Sequence, residues 1–361
     1  MAHSLFSGRY STSVAKRMVK VLNEFDAELT ATLITVLDDA DIDINSFTVR
    51  RLESLLSSVE RINGQAIERA FAFLSDEMKA YAFHEVSFYP SLFNALLPDA
   101  ILRHYPFMGI SEEMLYASAM SRPFQGKLLS EWASGLEKDR MTRISNTVRN
   151  GYLNGDSAVQ IGRKIRGHAK QNYKDGALQM SRANATSLAK TAINHVQATA
   201  REHLVDANKD IIDCKQWLST LDNKTSHDCI VRDRLKYTLN GHPIGHKVPY
   251  KRGPGKIHWG CRSTETLILK SWRDLGIDAD EMDDGTRASM DGQVPVKTTY
   301  LEWIQRQPEW RQRQVFGEVR FRLMKEGGMT PSEFYTDKGE FILLSELKAL
   351  DERAFKEAGY N

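Results

Sequence analysis

The strongest constraint on the fold of this chain is a helical period of apolar residues along its first third. In VAKRMVKVLNEFDAELTATLITVL, apolar residues recur at three- and four-residue steps, at Val14, Met18, Val21, Leu22, Phe25, Leu29 and Leu33. This is the period of one face of an α-helix. A second periodic segment begins at about Phe47, and we expect Gly64 to interrupt it and Pro90 to end it. The first third is therefore predicted to be helical.

Composition excludes several classes of protein. The chain has 361 residues, enough for two or three domains of about 100–200 residues each. No apolar run approaches the ~20 residues that a membrane-spanning helix needs, and the N-terminus lacks the apolar centre of a secretory signal. Three cysteines cannot form a disulfide framework and fit folding in a reducing compartment. We expect a protein made in a cytoplasm, with no membrane association.

Two further helices are predicted in the middle of the chain. The segment DSAVQIGRKIRG begins with a capping box formed by Ser157 and Gln160, and Gly167 is placed to end that helix. Residues 177–208 are rich in alanine and predict a long helix. The residues that we place on its polar face are Asn194, His195 and Arg201. We assign His195 no chemistry.

After residue 210 the sequence changes from helical to strand-like. IIDCKQWLSTL has the β-branched and aromatic content of a strand. A polar turn, DNKTSHDC, follows, and then a Gly/Pro-rich loop, NGHPIGHKVPYKRGPGK. HWGCRSTETLILK then enters a second strand-like run. This region predicts a small α+β module.

Cys229, His258 and Cys261 are the candidate chemical residues of this module. Three interpretations stay open. The residues can bind a metal ion, since thiolate and imidazole are the ligands that zinc prefers. The two cysteines can form a disulfide once the protein leaves the reducing cytoplasm. They can also be small buried apolar side chains. A nucleophilic Cys229 activated by His258 is not expected, because the sequence identifies no third group to orient the base.

A cationic segment overlaps the same module. Its five basic residues are Lys247, Lys251, Arg252, Lys256 and Arg262. Tyr250 and Trp259 are interleaved with them, and no carboxylate occurs between residues 247 and 262. Basic, flexible segments neutralise backbone phosphates without reading base sequence. The five cations are predicted either to form a solvated face or to contact the phosphates of a DNA backbone.

The C-terminal segment predicts further helices after a linker at Asp280–Val296. A short helix should be followed by a second one from about Glu309 to Glu326, and EFILL near residue 342 is strand-like. The aromatic residues that we expect in a core or an interface are Trp303, Trp310, Phe316 and Phe321. No catalytic constellation is recognisable here. We expect no enzymatic activity and no cofactor.

Several motifs occur in an order that resembles a known family. They are FQG…LLSEWA, GDSAVQIGRKIRG, TAINH, WLSTLD, DNKTSHDC, HWGCRS and GTRASMDGQVP. Together they resemble the phage Mu F-like family of head morphogenesis proteins, which are minor capsid proteins found near the portal of tailed-phage heads. The resemblance runs from about Phe124 into the C-terminal region. A cluster of Pro and Gly residues at 98–123 places a domain boundary before it. The predicted parts are therefore a helical N-terminal domain (1–123), a Mu F-like core of helices and a small β module (124–272), and a linker with a helix-rich extension (273–361). The fold class is α+β and predominantly helical.

The resemblance implies a structural role. The protein would be a virion component inside the capsid, made in the host cytoplasm, that assists head assembly and also genome packaging or ejection. Its implied partners are the portal protein, the major capsid protein and, non-specifically, packaged DNA. The alternative is a metal-dependent nuclease or another nucleic-acid-modifying enzyme built on His258 and Cys261.

The resemblance also implies a zinc site, with a departure in this chain. In sequences that resemble this family, the corresponding pattern is often C-x-x-C followed by H-x-x-C-R-C. Here Ser226 and Ser263 occupy the first and last of those cysteine positions. Three ligands remain, whereas a structural zinc site normally has four. The neighbouring residues that could supply a fourth ligand are His227 and Asp228.

Overall fold

The computed structural model describes residues 2–39, 49–278 and 285–360. Helices predominate among the described residues and strands are few, which confirms the predicted class, predominantly helical α+β. The helices are α1 (Ala2–Asp39), α2 (Val49–Leu96), α3 (Asp99–His104), α4 (Glu112–Ser121), α5 (Leu129–Leu153), α6 (Ala158–Arg166), α7 (Gln179–Ala207), α8 (His227–Ile230), α9 (Tyr300–Gln305), α10 (Glu309–Lys325), α11 (Leu344–Leu350) and α12 (Glu352–Glu357). The strands are β1 (Ile212–Leu218), β2 (Lys236–Tyr237), β3 (Pro243–Ile244), β4 (Thr264–Leu269), β5 (Thr286–Ser289) and β6 (Gly292–Pro295).

The chain divides into two compact units. One comprises Met1–Leu5, Glu85–Ser111 and Gln197–Asn361, and the other comprises Phe6–His84 and Glu112–Val196. Each unit is therefore built from segments that are far apart in the sequence. The sequence-based division at residues 123 and 272 follows a different criterion and stays a prediction.

The second of these units is helical, and its core follows the predicted period. Val14, Met18 and Leu22 are completely buried on α1, as are Leu29 and Leu33 further along the same face. Leu29 and Leu33 share their core with residues of α2, α5 and α6. The apolar stripe that predicts the helix is thus the surface that the helix buries.

Helix α2 is longer than predicted, because neither Gly64 nor Pro90 ends it. Gly64 lies on a tightly packed face, where an added Cβ would come within 3.2 Å of Glu137 Oε1. Its helix-weakening cost of about 0.5–1 kcal/mol is small beside the burial of its neighbours. Beyond Pro90, tertiary contacts hold the last turns in place: Phe93 stacks on Phe107 with ring centres 4.2 Å apart. Packing therefore overrides the local helix-breaking signal.

The predicted termini of α6 and the predicted helix α7 are confirmed. Gln160 N–H donates to Ser157 Oγ, and the Gln160 side chain accepts from the Ser157 N–H, which is a complete capping box. Gly167 follows the helix with φ +86°, a conformation that favours glycine. The polar residues of α7 differ from expectation: Asn194, His195 and Arg201 are all buried. Residues 191–201 form an unbroken buried run, so this stretch has no solvated face.

The other unit contains an antiparallel sheet with the strand order β3-β2-β1-β4. The end of β1 pairs with the start of β4, Leu218 opposite Thr264. Residues that follow β1 and residues that precede β4 therefore meet at one end of the sheet. The polar turn and the H-x-x-C step are two such segments, so this register brings them together.

The C-terminal helices share a core with the sheet module. Leu221 and Ile230, both from the turn after β1, pack in one buried cluster with residues of α9 to α12. Trp303, Phe316 and Phe321 are buried as expected, whereas Trp310 is 57% exposed. The strand expected at EFILL is reduced to an isolated bridge between Tyr335 and Phe341, and the chain then enters α11.

The predicted linker at Asp280–Val296 is in part regular structure. Residues 279–284 lie outside the described ranges, and residues 286–295 form the hairpin β5–β6. Among the described helices, none is both long enough and apolar enough to cross a membrane.

Candidate metal and thiol centre

Ser219 folds the turn after β1 back on itself. Its backbone N–H donates to Asp233 Oδ1 over 2.7 Å, and its hydroxyl donates to the backbone oxygen of Cys229 over 2.7 Å. Both bonds are buried, where a satisfied polar group stabilises one particular backbone path. Cys229, on the short helix α8, is thereby held against the sheet end.

The structure brings the three candidate residues together. Cys229 Sγ lies 3.7 Å from Cys261 Sγ and 3.3 Å from His258 Nε2. The three possible ligand atoms all lie within 4.8 Å of one another. Ser226 Oγ is also part of the cluster, 2.8 Å from His258 Nε2. Residues separated by about thirty positions in the sequence thus form one local centre, as their placement around the two strands predicts.

The geometry of the three residues fits a tetrahedral metal ion. Two sulfur atoms bound to one zinc at about 2.3 Å lie about 3.8 Å apart, and a bound sulfur and nitrogen lie about 3.6 Å apart. The distances here are 3.7 and 3.3 Å. His258 Nδ1 bonds the backbone oxygen of Trp259 over 3.0 Å, which turns Nε2 toward the sulfurs. Such a backbone partner for the second ring nitrogen is usual for metal-binding histidines. Cys229, His258 and Cys261 are therefore the residues that would hold a zinc ion.

A disulfide would require movement of the same two side chains. The sulfur atoms of Cys229 and Cys261 are not bonded to each other, and both side chains are only 1% exposed. A disulfide has its sulfurs about 2.0 Å apart, so the sulfurs would have to approach from their present 3.7 Å. The disulfide and the packed-thiol interpretations both stay predictions.

The charges of the centre are shared unevenly between the thiols. A hydrogen bond from Cys229 and a second one from His258 lower the pKa of Cys261 to about 4, despite its burial. The same contact with Cys261 raises the pKa of Cys229, and burial adds to that effect. The hydrogen bond to Cys261 also raises the pKa of His258. The hydrogen bonds from Cys229 and His258 therefore favour the charged form of Cys261 over that of Cys229.

The two residues expected as a possible fourth ligand point elsewhere. His227 Nδ1 lies 2.8 Å from the Tyr335 hydroxyl, and its ring stacks on Phe341 with centres 3.7 Å apart. Burial lowers the pKa of His227 to about 4, and the nearby Arg320 adds to that effect. Asp228 accepts from Lys251 Nζ over 2.7 Å. Both side chains are therefore engaged with partners outside the metal and thiol centre.

Four of the five cations predicted to contact DNA have carboxylate partners. Each carboxylate lies far from its cation in the sequence. No acidic residue occurs between residues 247 and 262, so that segment by itself gives no indication of these pairs. The pairs are Lys247 with Asp337, Lys251 with Asp228, Lys256 with Glu202, and Arg262 with Asp222. In the described part of the chain, only Arg252 of the five has no carboxylate within ion-pair distance, and it is exposed. The DNA contact stays a prediction.

The aromatic residues of the cationic segment differ in position. Tyr250 packs inward, donates its hydroxyl to Glu265 Oε2 over 2.5 Å and lies under Lys215 Nζ. Trp259 is 42% exposed. Only Trp259 presents a face of the kind on which a base could stack.

The residues that sequence reasoning missed are the partners of the centre. Ser219 and Asp233 position the turn, and Asp222 holds Arg262 at the start of β4. No spacing rule identifies them, because each acts through a partner that the fold supplies.

Comparisons with protein-family models, with curated proteins and with solved structures found no match for this chain.

Proposed function

We propose that this protein is a structural minor capsid protein of a tailed phage, located inside the head near the portal. The observation that carries the proposal is the ordered set of motifs from Phe124 onward, which resembles the Mu F-like family. The arrangement of those motifs supports it. WLSTLD, DNKTSHDC and HWGCRS meet at one end of the sheet. DNKTSHDC contacts HWGCRS through Cys229, His258 and Cys261, and WLSTLD contacts DNKTSHDC through the Ser219 hydroxyl.

A structural role agrees with how the polar groups of the module are used. Arg262 donates to Asp222 at the start of β4, and Arg287 is buried against Asp233. These groups hold backbone segments together rather than line an open cleft. The atoms of the metal and thiol centre include no carboxylate oxygen among the described residues. A hydrolytic metal site needs an adjacent base, so the nuclease alternative gains no specific support.

The proposed partners are the portal protein, the major capsid protein and packaged DNA. For DNA, the carboxylate pairs make a quantitative test possible. Five phosphate contacts would give a plot of log binding constant against log salt a slope of about −4.5, and a single contact a slope of about −1. Because Arg252 has no such partner among the described residues, we expect a slope near −1 for the purified protein and its loss in Arg252→Ala.

The test of the virion role is mass spectrometry of gradient-purified particles. We expect the protein in mature heads at far fewer copies than the major capsid protein. Heads made without it should assemble with reduced yield or package less DNA. Its absence from both assembling and mature heads would contradict the proposal.

The enzyme alternative has its own assay. Purified protein incubated with supercoiled DNA and zinc, manganese or magnesium should leave the DNA intact. Metal-dependent cleavage that disappears in His258→Ala, with the fold retained, would favour the nuclease instead.

A further inference from the structure

We infer that Ser226 marks an open fourth position beside Cys229, His258 and Cys261, where a bound zinc-type ion would carry an exchangeable small ligand. The ligand class is water, replaceable by a small monodentate anion such as azide. This goes beyond the proposed virion role and does not depend on it.

Three side chains of the metal and thiol centre are suited to bind one ion. Two thiols and one imidazole converge at separations that fit a single ion. Zinc sites with four protein ligands are closed and structural, whereas sites with three keep a position for water or substrate. In the described part of the chain, these three are the only His, Cys, Asp or Glu side chains in the group within 4.8 Å.

Ser226 lies beside the three ligands. Its Oγ is 2.8 Å from His258 Nε2. A neutral serine hydroxyl is not among the usual zinc ligands, which are thiolate, imidazole and carboxylate. It is well suited to hold a metal-bound water, because a hydroxyl both donates and accepts. Ser226 would therefore orient the ligand rather than replace it.

The neighbouring side chains that could fill the fourth position are engaged elsewhere. His227 is directed to Tyr335 and Phe341, and Asp228 is held by Lys251. Ser263 is 5% exposed, and its hydroxyl donates to the Ser219 hydroxyl over 3.5 Å. None of these groups supplies a thiolate, an imidazole or a carboxylate to the fourth position.

The two sides of the metal and thiol centre differ in their exposure to solvent. Cys229 and Cys261 are each 1% exposed, so the sulfur side of the centre is closed. Ser226 and His258 are half-buried. The contact between Ser226 Oγ and His258 Nε2 is part-buried, whereas the contact between the two sulfurs is buried. We therefore expect a small ligand to enter and leave on the side where Ser226 lies.

The experiment uses the reduced, metal-free full chain and Co²⁺ as a spectroscopic substitute for zinc. We expect one Co²⁺ per chain, with a sulfur-to-metal charge-transfer band and the visible bands of a four-coordinate ion. Azide should shift the visible bands in the wild type and in Ser226→Ala. In Ser226→Cys a third thiolate should fill the position, so the affinity should rise at least tenfold and the response to azide should disappear. Cys214→Ser, which removes the remaining cysteine, should leave the spectra unchanged.

Several outcomes would overturn the inference. The wild type could bind no Co²⁺ with a sulfur charge-transfer band, or its thiols could form a disulfide in place of binding metal. Its cobalt spectrum could also be insensitive to azide. If Ser226→Cys does not fold, the azide titrations of the wild type and Ser226→Ala still decide. Failure of these tests leaves the particle analysis unaffected, so the two proposals are separable.

Discussion

Asp26 is a carboxylate buried between two guanidinium groups. Its oxygens accept from Arg140 over 2.5 Å and from Arg182 over 2.7 Å, and Asn63 accepts from Arg140 Nε over 2.7 Å. Asp26 and Arg140 are completely buried. The cluster joins α1, α2, α5 and α7 through one carboxylate. Removing that carboxylate would leave two cations in a medium of low dielectric constant.

We therefore predict that Asp26→Ala lowers the free energy of unfolding by about 3–5 kcal/mol, the usual cost of breaking a buried ion pair. Urea denaturation followed by circular dichroism measures it. The control is Arg143→Ala, which breaks the part-exposed pair of Arg143 with Asp139. That change should cost no more than about 0.5 kcal/mol. Equal effects of the two substitutions would refute the prediction.

At the residue scale, part of the centre was predictable. The spacing of His258 and Cys261 and the position of Cys229 after the first strand indicated the cluster before the fold was known. The environment of the cations was not predictable. Asp337 is 90 positions from Lys247, and Glu202 is 54 from Lys256. A local count of charge does not include carboxylates that only tertiary structure brings near.

Helices α5 and α6 approach closely at Gly151. A Cβ added there would lie 2.4 Å from Ile161 Cγ1 and 2.8 Å from its Cδ1. Real Cβ atoms do not make such short contacts, and Ile161 is completely buried in the core. We predict that Gly151→Ala destabilises the protein by about 1–3 kcal/mol through overpacking, measured as a fall in the urea midpoint.

Gly135 provides the matched control on the same helix. It is exposed, and an added Cβ would meet nothing within 4 Å. Gly135→Ala should therefore stabilise by about 0.5–1 kcal/mol, because alanine favours the helix interior. Substitutions of the same kind in α5 should thus have opposite signs. A stabilising Gly151→Ala would show that the two helices can separate at little cost.

The hairpin β5–β6 is held by Arg287. Its guanidinium donates to Asp233 Oδ2 over 2.8 Å and to the backbone oxygen of Thr298 over 2.8 Å, and the residue is 3% exposed. We predict that trypsin cuts slowly after Arg287 in the native protein and faster in Asp233→Ala. The reference is exposed Arg252, whose cleavage should not change. Equally rapid cutting after Arg287 and Arg252 in the wild type would show that this hairpin is not docked.

At the element scale, periodicity predicted the helices well and their ends less well. The buried face of α1 and the capping box of α6 follow from local sequence. Pro90 did not end α2, because the stacking of Phe93 on Phe107 holds the segment beyond it. EFILL is apolar enough for a strand, but its Ile342 packs into the core of the C-terminal helices instead. Tertiary packing decided both cases.

At the scale of the whole molecule, sequence reasoning placed the last helices in a separate extension. Leu221 and Ile230 follow β1, yet they lie in the same buried cluster as Tyr300, Trp303 and Phe316. The turn that carries Cys229 therefore rests on the C-terminal helices. The sequence does not indicate this contact, because about seventy positions lie between the two halves of the cluster.

We predict that a chain ending at residue 296 loses the native packing of the sheet module. Leu221 and Ile230 are at most 1% exposed, and the truncation would uncover them. Exposed apolar surface of this kind promotes association, so the truncated chain should aggregate or bind hydrophobic dyes and lose its near-ultraviolet circular dichroism. Retained cooperative unfolding of the module would establish the extension as a separate domain.

A pair of tryptophans in the same region tests the shared core without truncation. Trp303 is 2% exposed within the cluster, whereas Trp310 is 57% exposed. Trp303→Ala should cost about 3–5 kcal/mol and Trp310→Ala less than about 1 kcal/mol, because only the first leaves a cavity. If the core is shared, Trp303→Ala should also increase the reactivity of Cys229 and Cys261 toward a thiol reagent. This coupling is expected because Ile230 is the residue next to Cys229. When the cluster loosens, Ile230 is no longer held in place. The turn can then open, and the buried thiols become accessible to the reagent. An unchanged thiol reactivity in a destabilised Trp303→Ala protein would mean that the turn stands without the C-terminal helices.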